Sequence, residues 1–455
     1  MASNNVSLGE LIHQVGERNK GLLSTEPLGV SIDKEFMPSV ANTIGTDLSK
    51  YMLLRRNRFA CNPMHVGRDR ALPIARYKND APGIVSPAYM TFEADESKID
   101  LDYLELFFKL AVFDKECWFY TDSTVRGGLS WDALCSIELN LPSFDDQRKI
   151  ASIVKVIRER MVRLAEQNDY LSDLMTIEFR SRVVEGEAFV EAPLSSIATY
   201  KNGLAMQNFR PEGNDPGLPV VKIKELGLGY CPADCERCST LIDESVRLKD
   251  GDLVFSWSGT LMAEFWTGGP AGLNQHLFKV TSEKYPKWFY YLWTKHHLQD
   301  FIRMAKNHGT TMGHIKRSAL DEAIVRIPDE EMFEALNSIF EPMVDAYLAN
   351  AVESKKLDQL AVILLPKLMS GEIDVSKVDL TLLNNHLYES KTGGCRGHPL
   401  FRRCKLHGPL WSFEWIYHLS NTGEQLIAHR GSNQIIRFAP DRSSRDLLYR
   451  IQGHS

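Results

Sequence analysis

Apolar residues recur between residues 143 and 182 at Ile150, Ile153, Ile157, Met161, Leu164, Leu171 and Leu174, in steps of three, four and seven. That spacing lays them in one stripe along a helix, the seam pattern of a coiled coil. "PSFDD" supplies a start, with Ser143 as the cap and Asp146 three residues on. A shift of 186 residues lands on a second stripe, Leu336, Ile339, Met343, Tyr347, Asn350, Leu357 and Leu360, in which only Asn350 is polar. Pro342 and Pro366 predict kinks or breaks in this second helix. Two stripes of equal length most simply bury each other. Because a compact domain lies between them, the chain can return and pair them antiparallel. The plainer alternative is a pair of surface helices, each packed on its own domain.

The same shift of 186 relates the segments that precede the helices. Leu8 and Leu11 fall on Leu194 and Ile197, and Pro142 falls on Pro328, so residues 8 to 142 and 194 to 328 read as one domain repeated. Within the repeat, "GIVSPAYMTFE" (Gly83 to Glu93) matches "GLNQHLFKVTS" (Gly272 to Ser282), and "RFACNP" (Arg58 to Pro63) matches "DLVFSW" (Asp252 to Trp257). Their alternation reads as strands entered through turns. "DYLELFFKL" and "KWFYYLWTKHHL" read as helices packed on the sheet. The expected fold is an α/β chain: two mixed α/β domains joined by two long antiparallel coiled-coil helices. The predicted boundaries are 1–142 and 189–328 for the domains, 143–188 and 329–376 for the helices, and 377–455 for a C-terminal extension.

With 455 residues, 44% hydrophobic and 25% charged, the composition is that of a multidomain globular chain. The net charge of −6 requires that any nucleic-acid contact come from local patches. No basic segment with an apolar run opens the sequence, and no stretch of about 18 apolar residues follows. A soluble, cytoplasmic protein without membrane contact is expected. Eight cysteines then read as thiols or metal ligands rather than as a disulfide framework. Cys231, Cys235 and Cys238 stand in C-x3-C-x2-C order, which suits an iron-sulfur cluster or zinc. A metal-dependent enzyme built on that loop is therefore the alternative function. Against it, the loop sits inside the second repeat, and its counterpart in the first repeat has no cysteine. His296 and His297 are expected on a helix surface rather than as ligands. The sequence has no Walker loop, no G-x-G-x-x-G and no adenine-methylation motif of the "NPPF" or "DPPY" kind.

The order domain, helix, domain, helix over residues 7 to 388 resembles the specificity subunits of type I restriction-modification systems. "LPSFDDQRKIASIV" looks like that family's boundary between recognition domain and helix, and "LLPKLMSGEIDV" like the end of its second helix. "GDLVFSWSGT", "GLNQHLFKV" and "HGTTMGHI" resemble its second target recognition domain, and "GVSIDKEFMPSVANTIGTDLSKYMLLRRNRFACNP" its first. The resemblance implies a non-catalytic subunit that reads two DNA half-sites in a bipartite asymmetric target. It implies two methyltransferase subunits as partners, and two nuclease-translocase subunits where restriction is present. It places S-adenosylmethionine, ATP and magnesium on those partners, with no cofactor on this chain.

Such a role needs side chains that reach base edges and others that anchor phosphates. In the first domain Arg55, Arg56, Arg58, Arg68, Arg70 and Arg76 cluster, and Arg126 sits in the Gly-rich "STVRGGLS". In the second, Ser256, Ser258, Thr260, Asn274, Gln275 and His276 lie on or beside turns. Thr310, Thr311, His314, Lys316 and Arg317 fill "GTTMGHIKR". Asn and Gln suit adenine, and Arg suits guanine, through paired hydrogen bonds. Beyond Glu389 the sequence departs from the family pattern. Residues 390–455 carry ten Lys and Arg against four Asp and Glu, and Cys395, His398, Cys404 and His407 could hold zinc. An extension with little structure is expected there.

Overall fold

The structure, a computed structural model, describes residues 5–41, 45–121, 128–186, 189–307 and 314–378, together with five short strands between Leu406 and Phe438. Residues 1–329 with 339–383 form one compact unit, and 330–338 with 384–455 a second. In the second unit the strands Leu406–Gly408 and Trp411–Phe413 pair antiparallel, and Trp415–Leu419, Gln425–His429 and Ile435–Phe438 form a three-stranded antiparallel sheet. Strand structure there departs from the expectation of little order. Cys395, His398 and Cys404, and the His407 side chain, lie outside the described residues.

The repeat is the organising feature of the first unit. Asn5–Ser7 pairs antiparallel with Glu138–Asn140, and Phe189–Pro193 with Ile324–Pro328 in the same register advanced by 186 on both strands. The Leu8 amide donates to the Ile137 carbonyl and the Leu194 amide to the Ala323 carbonyl, each at 2.8 Å. These bonds close each domain by tying its start to its end. Each domain then holds two four-stranded sheets. One is antiparallel: Ile12–Gln14, Met90–Ala94, Phe59–Cys61, Ile74–Arg76 in the first domain, and Thr199–Asn202, Leu277–Thr281, Asp252–Ser256, Met262–Trp266 in the second. The other is mixed around a parallel pair: Phe36–Pro38, Pro27–Val30, Gly83–Val85, Met52–Leu54, and Arg237–Cys238, Leu218–Val221, Ala271–Leu273, Arg247–Leu248.

Aromatic rings fill the space between sheet and helix. Phe59 and Phe92 stack at 5.2 Å against Phe108, and Phe255 and Phe278 at 6.2 Å against Tyr200. Leu101–Phe108 packs against the strand Ile74–Arg76 and Lys287–Asn307 against Met262–Trp266, while Ala111–Phe119 packs on Leu101–Phe108 through Phe113. One expectation is refined. "GIVSPAYMTFE" and "GLNQHLFKVTS" are each two strands in different sheets, because the chain turns between them; in the second domain the Leu277 amide donates to the Asn274 carbonyl at 3.0 Å.

The first long helix spans Phe144–Phe179 and ends in a π turn, Arg180–Val184. The Ser143 hydroxyl accepts the Asp146 amide at its start. Buried Gln147 fastens the helix to the first domain, accepting the Asp100 amide at 2.8 Å and donating to the Pro142 carbonyl at 3.0 Å. The second helix spans Glu330–Met369 without interruption, so Pro342 and Pro366 are accommodated rather than breaking it. Pairing is antiparallel: Arg160 bonds Glu353, Asn168 bonds Asn350, and Phe179 lies against Phe340. The far end of the second helix enters the first domain's core through Leu368 and Met369, followed by Val375.

Ile150, Ile157 and Leu164 are buried in the seam, Ile153, Met161 and Leu171 partly so. On the second helix Leu336 is buried and Ile339, Met343, Tyr347 and Leu357 are half-buried. Leu174 and Leu360 depart from the prediction: they are 41% and 43% exposed. After Leu164 the seam takes Asn168 and then steps by four or seven to Met175, Phe179 and Val183, all but Asn168 fully buried, which turns Leu174 outward. Among the described residues no helix is long and apolar enough to cross a membrane.

The Asn168 carboxamide is the polar interruption of this seam. Its oxygen accepts from the Asn350 amide at 3.0 Å, and its own amide donates to the Tyr347 carbonyl at 3.0 Å. A paired polar residue in an apolar seam selects one register, because any slip leaves both groups unpaired. Asn168→Ala should lower stability by about 1–3 kcal/mol, the cost of an unsatisfied partner. Asn168→Leu with Asn350→Leu should recover that loss or exceed it. Chemical denaturation of the single and double variants checks both; a single variant as stable as the parent would show that the pair contributes nothing.

Candidate nucleic-acid interface

The tightest gathering of the sequence-predicted residues is at one corner of the second domain. The turn between Asp252–Ser256 and Met262–Trp266 carries Trp257, Ser258, Gly259 and Thr260, with Gly259 in the left-handed conformation (φ 66°). The turn between the two sheets carries Asn274, Gln275 and His276. His314 bridges to Ser258, and the Ile315 amide donates to the Trp257 carbonyl at 3.1 Å. The Trp257 ring stands between them, 6.1 Å from the His276 ring and 6.4 Å from that of His314. Gly203 braces the corner: a Cβ there would lie 2.2 Å from the Leu273 carbonyl oxygen and 2.3 Å from that of Asn274.

Burial divides these residues into two groups. Ser256, Ser258 and Asn274 are buried and serve the turns rather than the surface. The Ser256 hydroxyl donates to the Ser258 carbonyl, and the Asn274 side-chain oxygen accepts the His276 amide. That corrects the expectation that Ser258 and Asn274 reach DNA. Thr260 and Lys316 are exposed, and Gln275, His276 and His314 are half-buried. Arg317 donates to the Tyr200 carbonyl at 3.2 Å, which anchors the segment that follows His314. Among the described residues Trp257 Nε1 and His276 Nδ1 are buried without a hydrogen-bond partner, two groups able to turn to a ligand. Thr310 and Thr311 lie outside the described residues. Trp257 was missed from sequence; its signal was a tryptophan directly before a Ser-Gly turn.

The first domain builds its corner in the same place. The Leu129 amide donates to the Pro63 carbonyl at 3.2 Å, the counterpart of the bond from Ile315 to Trp257. Its strand connection, 62–73, is longer and folds into the helix Val66–Asp69. Here the arginine cluster is largely spent on internal ion pairs. Arg55 grips Glu17 through two nitrogens, Arg56 pairs with Asp80 at 2.6 Å, Arg68 with Asp69 at 2.7 Å, and Arg76 with Asp102 and Glu105. Arg58 is corrected outright. It is 4% exposed, and its guanidinium faces Glu93, Glu17 and the Leu53 carbonyl, so it belongs to the domain interior. Arg70 has no carboxylate partner among the described residues; it lies over the Trp118 ring at 5.0 Å. Arg126 lies outside the described residues.

Cys231, Cys235 and Cys238 are free thiols. Cys238 is buried in the second domain's core and the Cys231 thiol lies 3.8 Å from the Val220 carbonyl. Burial pushes the Cys231 thiol up to about 12. Among the described residues no group of three His, Cys, Asp or Glu side chains could hold a metal. Of the two histidines expected on a helix surface, His296 is exposed and His297 half-buried. His297 stacks on Trp293, and its Nε2 lies 2.9 Å from the Ile324 carbonyl oxygen. Burial lowers the pKa of both His296 and His297.

Residues 187–357 match the family described as the type I restriction modification DNA specificity domain. A curated relative, the MjaIX specificity subunit of a type I restriction enzyme from Methanocaldococcus jannaschii, is 21% identical over 310 residues, covering 61% of this chain and 70% of its own. Among solved structures, the S subunit of a type I restriction-modification system from M. genitalium aligns over 81% of this chain and 96% of its own, with a TM-score of 0.48 and 14% identity. The HsdS subunit from Thermoanaerobacter tengcongensis aligns over 82% and 97%, with a TM-score of 0.34 and 15% identity.

The Glu17 cluster gives the first domain an acid-sensitive support. The hydrogen bond from Arg55, aided by Arg58, pulls the Glu17 carboxyl from 4.5 down to about 2. A carboxylate held below its unfolded value stabilises the fold above that value and loses its contribution as the pH falls through the folded one. Stability should therefore drop between about pH 4.5 and 2. Glu17→Gln should be less stable at neutral pH and converge on the parent across that window. Urea midpoints measured against pH check this; a constant gap would exclude Glu17 as the titrating group.

Proposed function

We propose that this chain is a member of the specificity family of type I restriction-modification systems, whose model its residues 187–357 match, and that it is the non-catalytic subunit that reads a bipartite, asymmetric DNA target and carries the partner enzymes. One observation carries the reading: a single fold occurs twice with the same closing hydrogen bonds, yet its equivalent corners present different side chains. A shared scaffold with unlike corners suits two unlike half-sites. The antiparallel helices then fix their separation. At 1.5 Å per residue, the 36 residues of the first helix give about 54 Å. Double-stranded DNA is the substrate, read through Thr260, Gln275, His276, His314 and Lys316 in the second domain.

The helix pair also supports a docking role. Val162, Tyr170, Leu174 and Ile177 on the first helix and Leu360, Val362 and Ile363 on the second are exposed apolar side chains. Methyltransferase chains, two of them by the internal repeat, would cover such a surface. Nuclease-translocase chains would join where restriction occurs. S-adenosylmethionine, ATP and magnesium act on those partners, in the cytoplasm. Mapping methylated adenines genome-wide in cells with and without this chain tests the proposal. One asymmetric two-part motif should disappear with the chain, and an unchanged methylation pattern would refute it.

Two finer outcomes are expected. Gln275→Ala with His276→Ala should weaken reading of one half-site by about 1–3 kcal/mol per lost base contact, leaving the other intact. Equal loss at all sequences, measured by competition binding, would make these residues phosphate anchors instead. Matched four-residue insertions near Asp169 and near Asn350 keep both apolar stripes nearly in phase and lengthen the pair by about 6 Å. At about 3.4 Å per base pair, the unread gap should grow by one or two base pairs with both half-sites unchanged. A folded, active variant with the parental gap would show that the helices do not set the distance.

A further inference from the structure

We infer that the first domain holds duplex DNA by its phosphodiester backbone through Arg70 seated on an exposed aromatic platform, Trp118, Phe119 and Tyr120. The inference rests on the DNA-reading role proposed above and assigns that domain its anchoring surface.

Four observations converge on it. Of the six described arginines in the first domain's cluster, Arg55, Arg56, Arg58, Arg68 and Arg76 each face a carboxylate, and Arg70 faces none among the described residues. Its backbone is held left-handed (φ 53°), a conformation that costs a side-chain-bearing residue energy and collects at functional sites. Its guanidinium lies 5.0 Å over the Trp118 ring, which fixes the group in place without neutralising it. Around it the end of the helix Ala111–Phe119 leaves three consecutive large aromatics in solvent, Phe119 at 79% exposure and Trp118 and Tyr120 at 44% each.

Position argues for the same ligand. Arg70 lies within the long strand connection 62–73, directly after its helix Val66–Asp69, and the Pro63 carbonyl of that connection receives the Leu129 amide as the Trp257 carbonyl receives the Ile315 amide. The cluster therefore stands at the corner that in the second domain bears Trp257, His276 and His314. An unneutralised guanidinium with its stacked face occupied keeps its N–H edge for an anionic acceptor, and a phosphate accepts from such an edge through two oxygens. The flanking rings present flat apolar faces to the deoxyribose beside that phosphate. A protein partner would find, within its apolar contact, a cation that has no carboxylate partner among the described residues, which favours DNA as the occupant.

The test uses the complex reconstituted with its methyltransferase partners, binding a duplex that carries the mapped target over a range of KCl concentrations. For the parent, log K falls linearly with log salt. Arg70→Gln should make that slope shallower by about 0.9, the release of one phosphate contact. Arg70→Lys keeps the charge and should keep the slope. Replacing Trp118, Phe119 and Tyr120 together by Ala should lower affinity several-fold with sequence preference unchanged; a native melting temperature for this variant excludes misfolding. A parental slope and affinity in Arg70→Gln overturns the inference, as does a relaxed base preference at the first half-site. Failure of the aromatic variant to assemble with the methyltransferase, with normal DNA binding by the fraction that does assemble, assigns the surface to a protein partner and overturns it too. If the Gln275 and His276 variant shifts one half-site while Arg70→Gln changes nothing, this inference alone falls. A parent complex with no preference for the mapped target removes the DNA-reading role and this inference with it.

Discussion

Neither long helix can be stable as a single rod in water, because each carries an apolar stripe over more than thirty residues that its own domain covers only at the ends. Mutual burial of the two stripes resolves this, and the rest of the first unit follows from it. Antiparallel pairing brings the end of the second helix back to the first domain, where Leu368, Met369 and Val375 complete that domain's core. It brings the end of the first helix to the second domain, where Phe179 packs on Trp293. The Asn168–Asn350 pair fixes the register along the way.

With the helices tied in this manner, each domain is a closed cassette. Its first and last strands pair, and an amide from its opening residues bonds a carbonyl near its end, with identical spacing in both copies. Loops at the corner are then free to differ. In the first domain the strand connection is long and forms a helix; in the second it is a tight turn through Gly259. Closing bonds conserve the frame, and the corner carries the difference between the two domains.

Electrostatics separates support from contact. The arginines that look most basic in the sequence are largely neutralised by Glu17, Glu93, Asp80, Asp69, Asp102 and Glu105. They knit strand to strand and strand to helix. A charge that is already paired within the fold offers little to a polyanion, whereas one held by a ring face retains its full attraction.

The repeat, the seam and the helix start at Ser143 were legible in the sequence, because each is a periodicity or a local cap that depends on neighbours a few residues away or on a constant offset. The assignment of Leu174 to the seam failed because a polar residue, Asn168, holds a seam position, and the stripe's phase beyond it is set by packing against the second domain. Burial of Arg58, Ser258 and Asn274 was equally invisible: each is polar, and a polar residue is buried only when distant groups supply its hydrogen bonds. Trp257 and the Trp118 platform were hidden among residues that read as core. The sequence alone thus determined the two copies, their helices and the candidate segments, all of which follow from spacing along the chain. Which arginine keeps its charge, which asparagine faces inward and which tryptophan stands at the surface depended on partners dozens of residues away, and only the tertiary structure brought those partners together.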